Sequence, residues 1–186
     1  MRYKKEDIHE KLQKITYENG LRVLIENIPY LNTVCLGIWI KTGSGNETIW
    51  NNGISHFVEH LLFKCYDSSM SQKRIISYLE SEGGQINAFT ERGFTCFSIR
   101  ALENDLPVAL NVISNMICNR KFTSKDIEVE RSVGLEEIRK KKDSFGEFML
   151  DRTCSLYWED NPLALPIIGN EGNILLLGEE ENLEER

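Results

Sequence analysis

Gly53-Ile54-Ser55-His56-Phe57-Val58-Glu59-His60-Leu61-Leu62-Phe63-Lys64 is the stretch from which the fold can be read. Ile54, Phe57, Val58, Leu61 and Leu62 recur at helical spacing, which predicts a helix over 52–64 with Asn51 or Asn52 as its cap. Strand signals precede it. Thr16–Ile25 reads as two short strands joined at Asn19-Gly20, and Thr33–Lys41, rich in Val, Ile and Trp, reads as a third strand of the same antiparallel meander. Downstream, a helix over 72–82 stops at Gly83-Gly84, and Gln85–Thr90 and Phe94–Ala101 form two strands around Glu91-Arg92-Gly93. Helical patterns then cover 102–119, 123–142 and 145–158. Ser124 is the expected cap of the long helix, with Glu128 in its acid-favouring first turn. An irregular segment with Pro162, Pro166 and Gly169 follows. Strands first and helices later, linked by hairpins rather than regular βαβ units, predict an α+β fold: a largely antiparallel sheet with helices packed on one face, a two-layer sandwich. Residues 1–178 read as one domain and 179–186 as an acidic tail.

The chain has 186 residues, 41% of them apolar, and only four prolines, enough for a real core without disulfide staples. Its 22 Lys+Arg against 29 Asp+Glu give a net charge of −7, most of it in the terminal glutamates. That balance lacks the basic footprint needed for nucleic acid or an anionic membrane. No apolar run approaches the roughly 20 residues of a bilayer span. The opening Met1-Arg2-Tyr3-Lys4-Lys5-Glu6-Asp7 has no apolar leader core, so the cytoplasm is the expected location. Five scattered cysteines without a C-x-x-C encode neither a disulfide framework nor a zinc knuckle. Four of them lie in apolar surroundings and are expected to be small buried hydrophobes.

The chemistry concentrates on the first helix. His56 and His60 are two of the chain's three histidines. Four helical residues turn about 400°, so their imidazoles stand about 40° apart and ~6 Å along the axis, close enough to share one ion. Glu59 lies on the same side, where a carboxylate can face the ion's open position. This is the order H-x-x-E-H, with the glutamate placed to act as general base for a metal-activated water. Two histidines and an acid on a largely apolar helix are costly to bury unless something pairs them.

A third ligand is available on the long helix. Glu130 and Glu137 are seven residues apart and share a face with Ile127, Val133, Gly134 and Ile138, and Gly134 allows another helix to approach. Glu136 competes by adjacency, but it lies about 100° off that stripe and close to Arg139 and Lys140, the position of a solvated surface acid. Two histidines, a glutamate and water make an open, catalytic zinc set, whereas structural zinc sites are closed and usually rich in cysteine.

Further segments accompany these helices: Gly43-Ser44 with Glu47, Gly83-Gly84 with Asn87-Ala88-Phe89-Thr90, Glu130-Arg131 with Glu136-Glu137-Ile138, and Pro162-Leu163 with Pro166-Ile167-Ile168-Gly169. Together they resemble the inverted zincins, the metallopeptidases that include pitrilysin, insulin-degrading enzyme and the mitochondrial processing peptidase. The likeness runs from Thr16 to Ile174. It implies that His56, His60 and Glu137 bind Zn2+, that Glu59 is the general base, and that Glu130 is a catalytic-site acid supporting the ligands. The 77-residue separation of Glu137 from His60 fits the family and favours Glu137 over Glu136. The likeness also implies that a peptide substrate adds as a strand beside Gln85–Thr90, with Asn87 and Ala88 at the contact. Departures from the family pattern fall at Cys65-Tyr66, Gly93 and Ala164-Leu165, in loops or substrate contacts. After Ile174 the resembling enzymes continue with a helix, a strand and a second homologous domain that contributes an Arg-Tyr pair. This chain is expected to lack that final segment.

The resemblance implies a zinc-dependent endopeptidase module that hydrolyses extended peptides. The alternative is a truncated or non-catalytic subunit that binds zinc or peptide and needs a partner. The expected partners are a peptide substrate and a second homologous domain or subunit, or a second copy through self-association.

Overall fold

A computed structural model describes residues 2–9, 11–66, 70–118 and 122–177; the acidic tail expected over 179–186 lies outside them. Residues up to Val34 and residues from Cys35 onward form two compact units.

In the first unit, Tyr3–His9 (β1), Leu12–Tyr17 (β2) and Arg22–Glu26 (β3) form an antiparallel sheet in the order β1-β2-β3. The β2–β3 hairpin turns at Gly20, whose φ of +86° suits glycine, while Asn19 Oδ1 accepts the Leu21 N–H at 3.2 Å. Strand β1 carries no apolar alternation and is invisible to pattern reading. Backbone pairing with β2 forms it, and Glu6 opposite Lys14 lies within ion-pair reach of Lys4 (2.6 Å) and Lys14 (3.5 Å).

Thr33–Ile40 (β4) does not extend this meander. It joins Gln85–Thr90 (β5) and Thr95–Leu102 (β6) in a second sheet of order β4-β6-β5. The reason lies in β6, the central strand: Cys96, Phe97, Ile99 and Ala101 are all buried, and such a strand must be paired on both sides.

Helices follow at Ile54–Tyr66 (α1), Met70–Ser81 (α2), Leu106–Cys118 (α3), Ser124–Asp143 (α4), Phe145–Trp158 (α5) and Glu171–Leu176 (α6). Helices α1 and α3 touch each other and both touch β6, so they lie on one face of the sheet. Helix α4 packs on α1, and α5 and α6 pack on α4. Phe57 and Leu61 of α1, Ile138 of α4, and Ile174 and Leu177 at the chain's described end share one buried apolar cluster. No helix among the described residues is long and apolar enough to cross a membrane.

Several local readings are corrected. Helix α4 is capped by Thr123 rather than Ser124: Thr123 Oγ1 accepts the Asp126 N–H at 3.2 Å, and Asp126 Oδ2 accepts the Thr123 N–H at 2.9 Å. This reciprocal capping box uses an acid three residues on, where Ser124 is already helical. Helix α3 starts at Leu106 because β6 runs through Leu102 and a 3-10 turn, Glu103–Asp105, intervenes. The irregular end contains α6, capped by Asn170 Oδ1, which accepts the Asn173 N–H at 3.0 Å. Neither Asn51 nor Asn52 caps α1 with its side chain. Asn51 Oδ1 turns back to the Thr48 N–H at 2.7 Å, and Asn52 Nδ2 donates to Glu47 and to the Pro166 carbonyl, each at 2.9 Å. Of the cysteines with described side chains, Cys96 and Cys154 are buried but Cys35 and Cys118 are exposed, so four buried cysteines is not the outcome. Apolar neighbours in sequence do not bury a residue that occupies the outward position of a strand or the last turn of a helix. The Cβ of an alanine at Gly134 would meet Ile174 Cγ2 at 3.6 Å, so α6 does approach there, but at ordinary contact distance.

Candidate metal centre

Helix α1 sets two imidazoles over one spot, their ring centroids 4.4 Å apart. The apolar residues Phe57 and Leu61 fix which way the helix faces, and packing of α4 against it brings in Glu137. One nitrogen of each imidazole and one oxygen of Glu137 lie within 4.8 Å of one another. Glu137 Oε2 is 3.6 Å from His60 Nε2 and 3.9 Å from His56 Nε2, beyond hydrogen-bond range. Ligand atoms arranged tetrahedrally at zinc bond lengths would stand about 3.3 Å apart, so these three are spaced to close on an ion rather than on each other. Burial, then the neighbouring His60 and the Lys141 ammonium, push the His56 pKa down from 6.5 to about 4. A neutral imidazole is the form that binds a metal, so the donor set fits zinc in chemistry and spacing.

Glu130 is 3% exposed and sits behind the pair, its Oε2 3.3 Å from His60 Nδ1. A His60 proton held on Nδ1 towards Glu130 leaves Nε2 with its lone pair facing Glu137. Glu136 points elsewhere: it is 79% exposed at the side chain and lies 3.8 Å from Arg139.

Glu59 is 7% exposed, and its Oε2 accepts the hydroxyl proton of Thr90 at 3.1 Å. Thr90 lies on β5, and on the neighbouring β6 the Thr95 hydroxyl donates to the Thr42 carbonyl at 2.9 Å, with its oxygen 3.4 Å from that of Thr90. Burial raises the Glu59 pKa above its usual 4.5, and the nearby Glu137 charge adds to this against the opposing effects of His60 and Thr90. Sequence reasoning did not single out Thr90 for this contact, although it stands in the quoted Asn87-Ala88-Phe89-Thr90 run.

The histidines, Glu59 and Glu137 open into a cleft of about 540 Å³ that Ala88 and Thr90 also line. Asn87 is exposed on β5 and does not line it. Strand β5 is the margin of its sheet among the described residues. The structure thus brings His56, Glu59, His60, Glu130, Glu137 and Ala88 to one place and sets Asn87 beside it.

The family model described as Insulinase (Peptidase family M16) matches residues 22–171. The chain is 35% identical over 160 residues to the uncharacterized zinc protease YmxG of Bacillus subtilis, an alignment covering 86% of this chain and 39% of that protein. It is 36% identical over 160 residues to the mitochondrial-processing peptidase subunit beta of Lentinula edodes, covering 86% and 34%. Among solved structures, pitrilysin superposes with a TM-score of 0.75 at 21% identity, covering 92% of this chain and 19% of that one, a likeness of fold. The chain therefore spans well under half the length of these relatives.

Proposed function

Since the chain belongs to the insulinase family, peptidase family M16, we propose that it is the zinc-binding part of an endopeptidase that hydrolyses extended peptides. The observation that carries this reading is the convergence of His56, His60 and Glu137 beside the buried Glu59 at the floor of an open cleft. Zinc held by those three residues would supply Lewis acidity, polarising a scissile carbonyl and acidifying water.

The remaining steps belong to the chain's own side chains. Glu59, with its pKa raised, accepts the proton of the attacking water and returns it to the leaving amine, while Thr90 fixes the plane of its carboxylate. Glu130 holds the His60 ring. The substrate runs as an added strand along β5, with Ala88 at the cleft and Asn87 next to it, because a strand that is the margin of its sheet among the described residues offers main-chain donors and acceptors beside the cleft. Amide hydrolysis also needs donors for the developing oxyanion and a dry, oriented substrate, terms worth several kcal/mol each. Since the relatives are more than twice this length, the 186 residues are expected to cleave efficiently only alongside the portion those relatives carry in addition.

The test measures zinc content and cleavage of an unstructured peptide for the parent and for Glu59→Gln, each alone and with the complementary portion supplied. The parent should bind one zinc and gain activity on complementation. Glu59→Gln should keep the zinc and lose hydrolysis by about 10²–10⁴-fold. Cleavage at the parental rate would remove Glu59 from its role, and robust cleavage by the verified monomer would remove the need for a second portion.

A further inference from the structure

Glu47 is a carboxylate 1% exposed, far from any role in the chemistry above, yet it faces the start of the helix that carries both histidines. Its Oε1 accepts the Ser55 N–H at 2.7 Å, and its Oε2 accepts the Gly53 N–H at 2.7 Å and an Asn52 Nδ2 proton at 2.9 Å. Helix α1 begins at Ile54, so Glu47 satisfies donors at the helix opening, where a negative charge is also favoured by the helix dipole.

An ordinary N-cap side chain is impossible here. The residue before the helix is Gly53, with φ +99°, and a Cβ built on it would stand 2.9 Å from Gly169 Cα. Gly169, at φ +76°, is equally closed, its own Cβ falling 2.5 Å from the Asn52 carbonyl oxygen. Backbone therefore meets backbone where α1 joins the 166–169 loop, and Ile167 and Ile168 of that loop line the cleft. The same Asn52 amide that reaches Glu47 also reaches the Pro166 carbonyl, and Asn173 Nδ2 donates to the Asn52 carbonyl at 3.2 Å.

We propose that Glu47 is a positioning residue for the metal centre: by capping α1 from outside the helix it fixes the first turn, and with it the His56 imidazole, at the ligand position. His56 follows directly on Ser55, whose N–H Glu47 holds, whereas His60 lies a full turn deeper and is tied independently by Glu130. Loss of the cap therefore displaces one ligand of three. The inference rests on the zinc reading of His56, His60 and Glu137.

The experiment compares the parent, Glu47→Gln and Glu47→Asp by circular dichroism, zinc affinity in chelator competition, and the d–d absorption of the cobalt(II)-loaded protein. Glutamine keeps the shape but presents an amide to N–H donors, and aspartate keeps the charge but is one methylene too short to hold both Gly53 and Ser55. Glu47→Gln should retain the helical spectrum, bind zinc about tenfold more weakly, the scale on which supporting groups act, and show an altered cobalt spectrum. Glu47→Asp should recover part of the affinity. A folded Glu47→Gln with parental zinc affinity and cobalt spectrum would overturn the proposal even if its melting temperature fell, since the contact would then be structural only. If Glu47→Gln does not fold, Glu47→Asp decides by the same two readouts. A parent that binds no zinc would sink the underlying metal reading instead, and this inference with it.

Discussion

Helices α1 and α4 both contribute to the proposed metal centre, but they open in different ways. Helix α4 is capped by its own sequence, Thr123 and Asp126 exchanging two bonds across three residues at an exposed end. Helix α1 is capped by a buried carboxylate on a preceding turn and is wedged against a loop more than a hundred residues away. The contrast follows from burial. An exposed helix end has water as a fallback for its first N–H groups, whereas a buried one must find protein partners, and at Gly53 close backbone packing leaves no room for a side chain of its own.

The comparison can be broken or sharpened by substitution. The largest expected effect is at the ligand proposed on α4: Glu137→Gln should weaken zinc binding by more than about 100-fold while Glu136→Gln changes it little, since losing a ligand exceeds losing a supporting contact. Equal losses in chelator competition would mean that the wrong carboxylate has been placed on the metal. Next comes Glu130→Gln, which leaves all three ligands but weakens the hold on His60, with an expected loss of about 10–100-fold in zinc affinity. A parental affinity there would show that α1 orients His60 without help from α4. The smallest effect is at the exposed cap: Thr123→Ala should cost ~1 kcal/mol of stability in denaturant unfolding and leave zinc affinity unchanged. If Thr123→Ala weakened zinc as much as Glu47→Gln, the distinction between a locally capped and a remotely capped helix would have no functional content.

Much of the frame was legible because it depends on short-range periodicity. Ile54, Phe57, Val58, Leu61 and Leu62 marked α1, the apolar residues of β6 marked a strand, and Asn19-Gly20 marked a hairpin turn. Strand β1 was not legible, because seven residues rich in Lys, Glu and Asp become a strand only when a neighbour's backbone is offered to them. The partner of β4 was missed for a similar reason: alternation says that a segment is extended and cannot say which strand it will pair with. The short α6 escaped because six residues carry too little pattern, and it is held by the Asn170 cap and the burial of Ile174.

At the proposed metal centre the division is equally physical. The sequence by itself put His56, Glu59 and His60 on one side of a helix, because 3.6 residues per turn is a local property of the backbone. It also placed Glu130 and Glu137 on a common stripe of another. The same periodicity put Glu136 off that stripe, but only the tertiary structure decided that the Glu137 oxygen comes within 3.6 Å of His60 Nε2 and 3.9 Å of His56 Nε2, that Glu59 is buried against Thr90, and that Glu47 closes the start of α1. The Glu137 and Glu59 contacts join segments far apart in the chain, at distances set by how the side chains of α1, α4 and β5 fill the space between them; Glu47 lies only eight residues before Ser55, yet its contact depends on a turn that no periodicity in either segment encodes.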